Sequence, residues 1–215
     1  DYDHWDFCQI QYNYMDINYQ AGERGLKLAA GRGLGVVVME PLKGGRLAIE
    51  VPPTAVKNVF GQADVQRKPA EWALQWLWNQ PEVGVVLSGM STFEQVELNL
   101  ASASRSGVDH LTPEEVGIIE DARDAWQGLA PVACTHCEYC LPCPSDVLIP
   151  QIFAIYNNAV MYELGERGKR MYQNQIPEEN WADMCIECGA CEDLCPQHLT
   201  IIDYLKDAHA YLSKA

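Results

Sequence analysis

GVVVME, residues Gly35 to Glu40, is a run of three valines closed by a long apolar residue and a charge. An unbroken β-branched run of this kind reads as a strand buried on both faces, because a strand with one wet face alternates apolar and polar residues. The flanking sequence extends the pattern. Upstream, Trp5 to Tyr12 reads as a strand and Glu23 to Ala30 as a helix whose apolar content is Leu26 and Leu28 to Ala30. Downstream, Lys68 to Asn79 reads as a helix rich in Trp72, Leu74, Trp76 and Leu77, and Val83 to Ser88 reads as a third strand. Strands separated by helices imply parallel pairing through right-handed crossovers. Three strands alone leave both sheet edges unpaired, so the expected fold class is α/β, with this stretch forming part of a (β/α)8 barrel, a fold that places function in the loops after its strands. The sequence opens on Asp1 and reaches a core strand within a few residues, and a preceding N-terminal part is expected.

Beyond the strands the pattern turns helical. Thr112, Pro113 and Glu115 have the spacing of a capping box, and Val116, Ile119, Ala122 and Trp126 mark one apolar face of a helix reaching about Gln127. Pro150 can open a helix with Ile152, Ile155, Tyr156, Ala159 and Val160 at helical spacing. Thr200 and Asp203 are placed to cap a last helix carrying Ile201, Tyr204, Leu205, Ala208 and Leu212. The expected organisation is a barrel part over residues 1–110, a bridging helix over 111–130, and a mainly helical domain over 131–215.

With 48% hydrophobic residues in 215, the chain can bury a core. Its formal charge of −15 argues against nucleic acid or an anionic membrane as partner, since phosphates would be repelled. No apolar run approaches the roughly 18 residues a spanning helix needs, and no leader pattern opens the chain. A cytoplasmic location is the expectation.

Eight of the nine cysteines fall between Cys134 and Cys195, a spacing too tight for a disulfide framework and suited to metal. The run CIECGACEDLCP places Cys185, Cys188, Cys191 and Cys195 at the C-x2-C-x2-C-x3-C-P spacing of bacterial ferredoxins. Gly189 eases its turn. CTHCEYCLPCP places Cys134, Cys137, Cys140 and Cys143 with one residue fewer before the last cysteine. In two-cluster ferredoxins the fourth cysteine of each run serves the other cluster, so Cys195 is expected with Cys134, Cys137 and Cys140, and Cys143 with Cys185, Cys188 and Cys191. Two zinc sites are the rival reading, although zinc motifs usually pair C-x2-C units from separate loops. Whether such clusters carry electrons or only pin helices together stays open. Cys8 reads as an ordinary buried thiol, His136 and His198 as structural, and His4, His110 and His209 show no spacing pattern.

Together, CQIQYNYMD (8–16), VVMEPLKGGRL (37–47), VVLSGMSTFEQVELNL (85–100) and the two cysteine runs make the chain resemble the C-terminal part of aldo/keto reductase family proteins that carry a 4Fe-4S dicluster extension. The resemblance implies that the strands are the sixth to eighth of a TIM barrel, followed by a ferredoxin-like domain with two 4Fe-4S clusters. It also implies a nicotinamide cofactor. Gln9 would contact the carboxamide, and the turn Glu40, Pro41, Leu42, Lys43 and Gly44 would run along the pyrophosphate, a plain glycine-rich turn being the rival. Gly89, Met90 and Ser91 would lead into a helix whose N-terminus faces a phosphate. Around the adenosine 2'-phosphate the family often has Lys, Ser, Arg and Glu where this chain has Gly89, Met90, Gln95 and Leu98, and only Asn99 matches, so NADP and NAD both remain. The family's catalytic Asp, Tyr, Lys and His lie on the first four strands, which this sequence does not contain. The chain alone is therefore expected to reduce no small-molecule carbonyl substrate. Passing a two-electron hydride to one-electron clusters normally needs a flavin, and no flavin signature is present. The alternative implied is a ferredoxin-like electron-transfer module docking on a partner oxidoreductase.

Overall fold

The computed structural model describes residues 4–213. In chain order its elements are β1 (Phe7–Gln11), α1 (Gly22–Gly31), β2 (Gly35–Met39), α2 (Thr54–Phe60), α3 (Pro69–Trp78), β3 (Val85–Val86), α4 (Phe93–Ala103), α5 (Pro113–Gln127), α6 (Ile149–Met161), α7 (Gly165–Gln175), α8 (Ala190–Asp193) and α9 (Ile201–Leu212). The chain divides into two compact units, Asp1–Ala125 and Trp126–Ala215. The division falls in the last turn of α5. No helix among the described residues is long and apolar enough to cross a membrane.

In the first unit the strands form one parallel sheet in the order β1-β2-β3, with Ile10 opposite Val38 and Val38 opposite Val86. Ile10, Val36 and Val38 point to one face and pack with Leu26 and Ala29 of α1 and Leu77 of α3. The opposite face is different. Phe7 and Val85 there are 60% and 51% exposed, and Val37 and Met39 are half-buried. The valine run is therefore buried on one face rather than both, because the helices of the described residues cover only that face. Two further expectations shift. β3 pairs through only two residues, although Gly84 N–H and Leu87 N–H continue the ladder to Val36 and Val38. Cys8 is half-buried against the core rather than enclosed.

The loop after β1 is tied to the loop after β2. Asn13, fully buried, donates to the Asp16 carboxylate at 3.1 Å and to the Glu40 carbonyl at 3.0 Å. Asp16 in turn pairs with Lys43 and accepts from Gln11. Under the helices, Tyr12 packs on Trp76 at 5.1 Å between ring centroids, and its hydroxyl donates to Gln80.

α5 starts as its sequence predicts. Thr112 N–H donates to the Glu115 carboxylate at 3.0 Å and Glu115 N–H to the Thr112 hydroxyl at 3.2 Å, a reciprocal capping box. The same carboxylate pairs with Arg67, whose guanidinium also lies 4.5 Å over the Trp72 ring. Burial raises the Glu115 carboxyl, but the Thr112 amide and Arg67 together hold it below its ordinary value.

In the second unit α6, α7 and α9 surround a core that includes Ile149, Phe153, Tyr172, Ile201, Leu205 and Leu212. Pro150 sits in the first turn of α6, where its missing N–H has no partner to lose. Gly168 sets the spacing of α6 and α7, since a β-carbon there would lie 2.5 Å from that of Ala159. Thr200 occupies the cap position of α9 without a side-chain cap bond. Instead the Glu192 carboxylate accepts the N–H of Ile202 at 2.9 Å, an anion at a helix N-terminus supplied from α8.

Because the depressed Glu115 carboxyl contributes stability above its ordinary range and loses it on acidification, Glu115→Gln is expected to destabilise the protein by about 1–2 kcal/mol near neutral pH. The gap from wild type should close below the carboxylate range. Urea midpoints at both pH values check this, and a gap that does not change with pH contradicts it.

Candidate metal centre

The clustered cysteines do not gather run by run. Cys134, Cys137 and Cys140 line one pocket together with Cys195, while Cys185, Cys188 and Cys191 line a second together with Cys143. Ile149 contributes to both walls, so the pockets adjoin. Pro150, Phe153, Leu199 and Ile201 add to the apolar lining of the first, and Pro144, Ile186, Ile202 and Leu205 to that of the second. Cys137 and Cys188, the second cysteine of each run, are the exposed members.

Backbone conformation explains how so few residues turn so many thiols inward. Both runs enter the left-handed region at matching places: His136 (φ 58°) and Glu138 (φ 64°) in the first, Glu187 (φ 55°) and Gly189 (φ 77°) in the second. After its last cysteine each run has a proline and then a turn, closed by Asp146 N–H on the Cys143 carbonyl at 2.9 Å and by His198 N–H on the Cys195 carbonyl at 3.0 Å. α6 and α9 follow. The extra residue of the second run falls between Cys191 and Cys195, where α8 forms. The pattern is an internal repeat of loop and helix, and each loop ends in its neighbour's pocket. His136 and His198 are thus exposed turn residues.

Reversals of this kind point amides at sulfur. Glu187 N–H donates to Cys185 Sγ at 3.4 Å, and the His136 amide bonds the Cys134 thiol in the same way. Burial nevertheless dominates. It raises the Cys134 thiol and pushes those of Cys140 and Cys191 up to about 11, with neighbouring cysteines adding to the rise. Without a metal these thiols are neutral, and metal entry must displace their protons. Four thiols, sulfur-directed amides and an apolar wall in each pocket fit an iron-sulfur cluster.

The candidate nicotinamide residues lie on and beyond the C-terminal ends of the strands. Gln9 is within β1 rather than after it, on the exposed face, with its amide donating to Met39 sulfur at 3.2 Å. Glu40, Lys43 and Gly44 all have positive φ, so the turn with Pro41 and Leu42 is tightly wound. Lys43 is engaged by Asp16, which offsets its charge. Gly89, Met90 and Ser91 form an exposed loop. Gln95 spends its carbonyl oxygen on that loop, accepting Ser91 N–H at 2.8 Å and closing the capping box of α4 with Thr92. Asn99 donates to the Ser88 hydroxyl at 3.2 Å, and Leu98 is largely exposed. The structure links the first two loops through Asn13 and Asp16, while the contacts of Gln95 and Asn99 stay within their own loop and helix.

Glu138 escaped the sequence reading. Laying one run on the other puts it under Gly189, and that alignment marks it as a position wanting glycine. Glu138→Gly is expected to stabilise the protein by about 0.5–1 kcal/mol, with metal content unchanged. Gly189→Val should lower the metal held by the second run. Thermal unfolding alongside metal analysis checks both, and an Glu138→Gly protein less stable than wild type contradicts the repeat.

Residues 1–124 match the model of the aldo/keto reductase family, and residues 133–200 match that of a 4Fe-4S dicluster domain. Among solved structures, aldo-keto reductase AKR11C1 from Bacillus halodurans, in holo and apo forms, is similar at 25% identity over 53% of this chain, with a TM-score of 0.42. The chain spans 41% and 42% of the lengths of those two structures. No curated protein matches. With more than half its length matched by that family model, and a ferredoxin-type pair of cysteine runs behind it, the chain belongs to the aldo/keto reductase family and carries a 4Fe-4S dicluster domain.

Proposed function

We propose that this chain is the part of an iron-sulfur oxidoreductase of aldo/keto reductase type that holds two 4Fe-4S clusters and one side of a nicotinamide site. The observation that carries this reading is the crossed sharing of cysteines between adjoining pockets. Zinc accounts for it less well. Zinc motifs usually pair C-x2-C units from separate loops, whereas each run here supplies four cysteines in one continuous stretch and shares its last with the other pocket. In a bound state each cluster would exchange one electron at a time. The chain's own residues would supply the rest: eight thiolates as ligands, the amides of His136 and Glu187 favouring added negative charge on sulfur, and Ile149 and its apolar neighbours excluding water.

The three β/α units are read as the last three of a barrel, and the exposed apolar side chains Phe7, Val85 and Leu87 support further strands covering that face. Gln9, the Glu40–Gly44 turn, the Gly89–Ser91 loop and Asn99 would border the cofactor. Since Asp16 offsets Lys43, a pyrophosphate would meet backbone amides rather than a free ammonium, and nothing in these contacts favours NADP over NAD. Carbonyl chemistry would need the strands that bear the catalytic Asp, Tyr, Lys and His. A second reading, an electron-transfer module docking on a partner oxidoreductase, is favoured by the exposure of Cys137 and Cys188, which brings both sites close to the surface.

Chain purified without oxygen is expected to be brown and to bind about eight irons and eight sulfides; a colourless protein with stoichiometric zinc overturns the reading. Cys143→Ala should lose iron from the site built on Cys185, Cys188 and Cys191. Loss confined to the other site would refute the crossed pairing. By itself the chain should oxidise NAD(P)H with carbonyl substrates no faster than buffer, as absorbance at the nicotinamide band would report.

A further inference from the structure

The internal repeat extends beyond the cysteines. With Ile149 laid on Ile201, Asn157 of α6 falls on His209 of α9. These side chains differ, yet both reach the segment just ahead of their own run. Asn157 Oδ1 accepts the N–H of Val132 at 3.0 Å and its Nδ2 donates to the Val132 carbonyl at 2.7 Å. Val132 lies two residues before Cys134. His209 Nδ1 lies 3.5 Å from Asp183 Oδ1, and Asp183 is two residues before Cys185. The same nitrogen is 3.0 Å from the Tyr172 hydroxyl, which accepts the N–H of Ala182 at 2.9 Å. Tyr172 is fully buried, and Trp181 stacks on it at 5.0 Å while donating to the Ile176 carbonyl.

Resting on the dicluster reading, we infer that Asn157 and the Tyr172–His209 pair are equivalent positioning residues, each fixing the backbone that leads into one cysteine run. The carboxamide of Asn157 clamps Val132 through its own acceptor and donor. The Tyr172 phenol accepts Ala182 N–H and shares a second hydrogen bond with His209 Nδ1, whose direction follows the ring tautomer. Burial pushes the Tyr172 hydroxyl up to about 12, so it stays protonated. Tyr172 from α7 and Asp183 from the turn before Cys185 are the ionisable groups facing the ring. Of the other packed elements, Tyr156 of α6 lies against Tyr211, and Glu192 of α8 is held by the Ile202 amide.

Amide hydrogen exchange on the purified chain tests the clamps without reference to metal. Tyr172→Phe should speed exchange in residues 180–185 roughly 3- to 10-fold and leave 131–134 unchanged, and Asn157→Leu should do the reverse. Both segments changing together, or neither, overturns the assignment. Potentiometric EPR adds a readout that lost packing alone would not split between the two sites. Tyr172→Phe should move the midpoint of the signal abolished by Cys188→Ser and leave the one abolished by Cys137→Ser, and Asn157→Leu should do the reverse. Both midpoints moving together, or neither, overturns the assignment. A chain without iron would defeat the dicluster reading, while the exchange result would still decide the clamps.

Discussion

The second unit is organised by a single constraint: eight thiols must face two adjoining pockets, and each loop must give its last thiol to the pocket of the other. Burial holds the Cys140 and Cys191 thiols well above the usual range, so they are polar groups in an apolar setting until something takes their protons. The rest of the unit answers that requirement. Left-handed residues turn the loops, helices start one turn after the last cysteine of each run, and α6 and α9 bring Ile149 and Ile201 in to line the walls.

The first unit is governed by a simpler rule, that parallel strands need cover. α1 and α3 supply it on one side through Leu26, Ala29 and Leu77. At the C-terminal end of the sheet, polar loops are held by a buried network in which Asn13 joins the Asp16 carboxylate to the Glu40 backbone. Such networks are rigid when every member is satisfied. The loops that a cofactor would approach are therefore already set in shape, and the charge of Lys43 is already committed.

Much of this could be read from residues alone, and the limits have physical causes. The three strands and α1, α3, α5, α6 and α9 followed from periodicity, and the α5 cap from Thr112 and Glu115, because these signals are local, whereas α2, α7 and α8 were not anticipated. The metal-ligand spacing was equally plain, since two residues between thiolates leave little freedom. What failed depended on tertiary surroundings. Val37 was read as buried because a valine run cannot say how many faces have neighbours. Thr200 looked like a cap, but Glu192 reached the helix end instead. Gln95 and Lys43 matched cofactor positions by order in the chain, while their present partners, Ser91 and Asp16, could only be seen once the loops had folded. His209 showed no spacing at all, since its contacts lie on α7 and in the turn before Cys185.

The exchange of last cysteines has a consequence for biosynthesis. During translation the first run leaves the ribosome with three of its pocket's thiols, and the fourth, Cys195, follows 52 residues after Cys143. The other pocket waits for Cys191. Neither is complete until the second run has emerged, so nascent chains expose a partial set of soft ligands until then, and both sites become fillable on one scaffold at nearly the same moment.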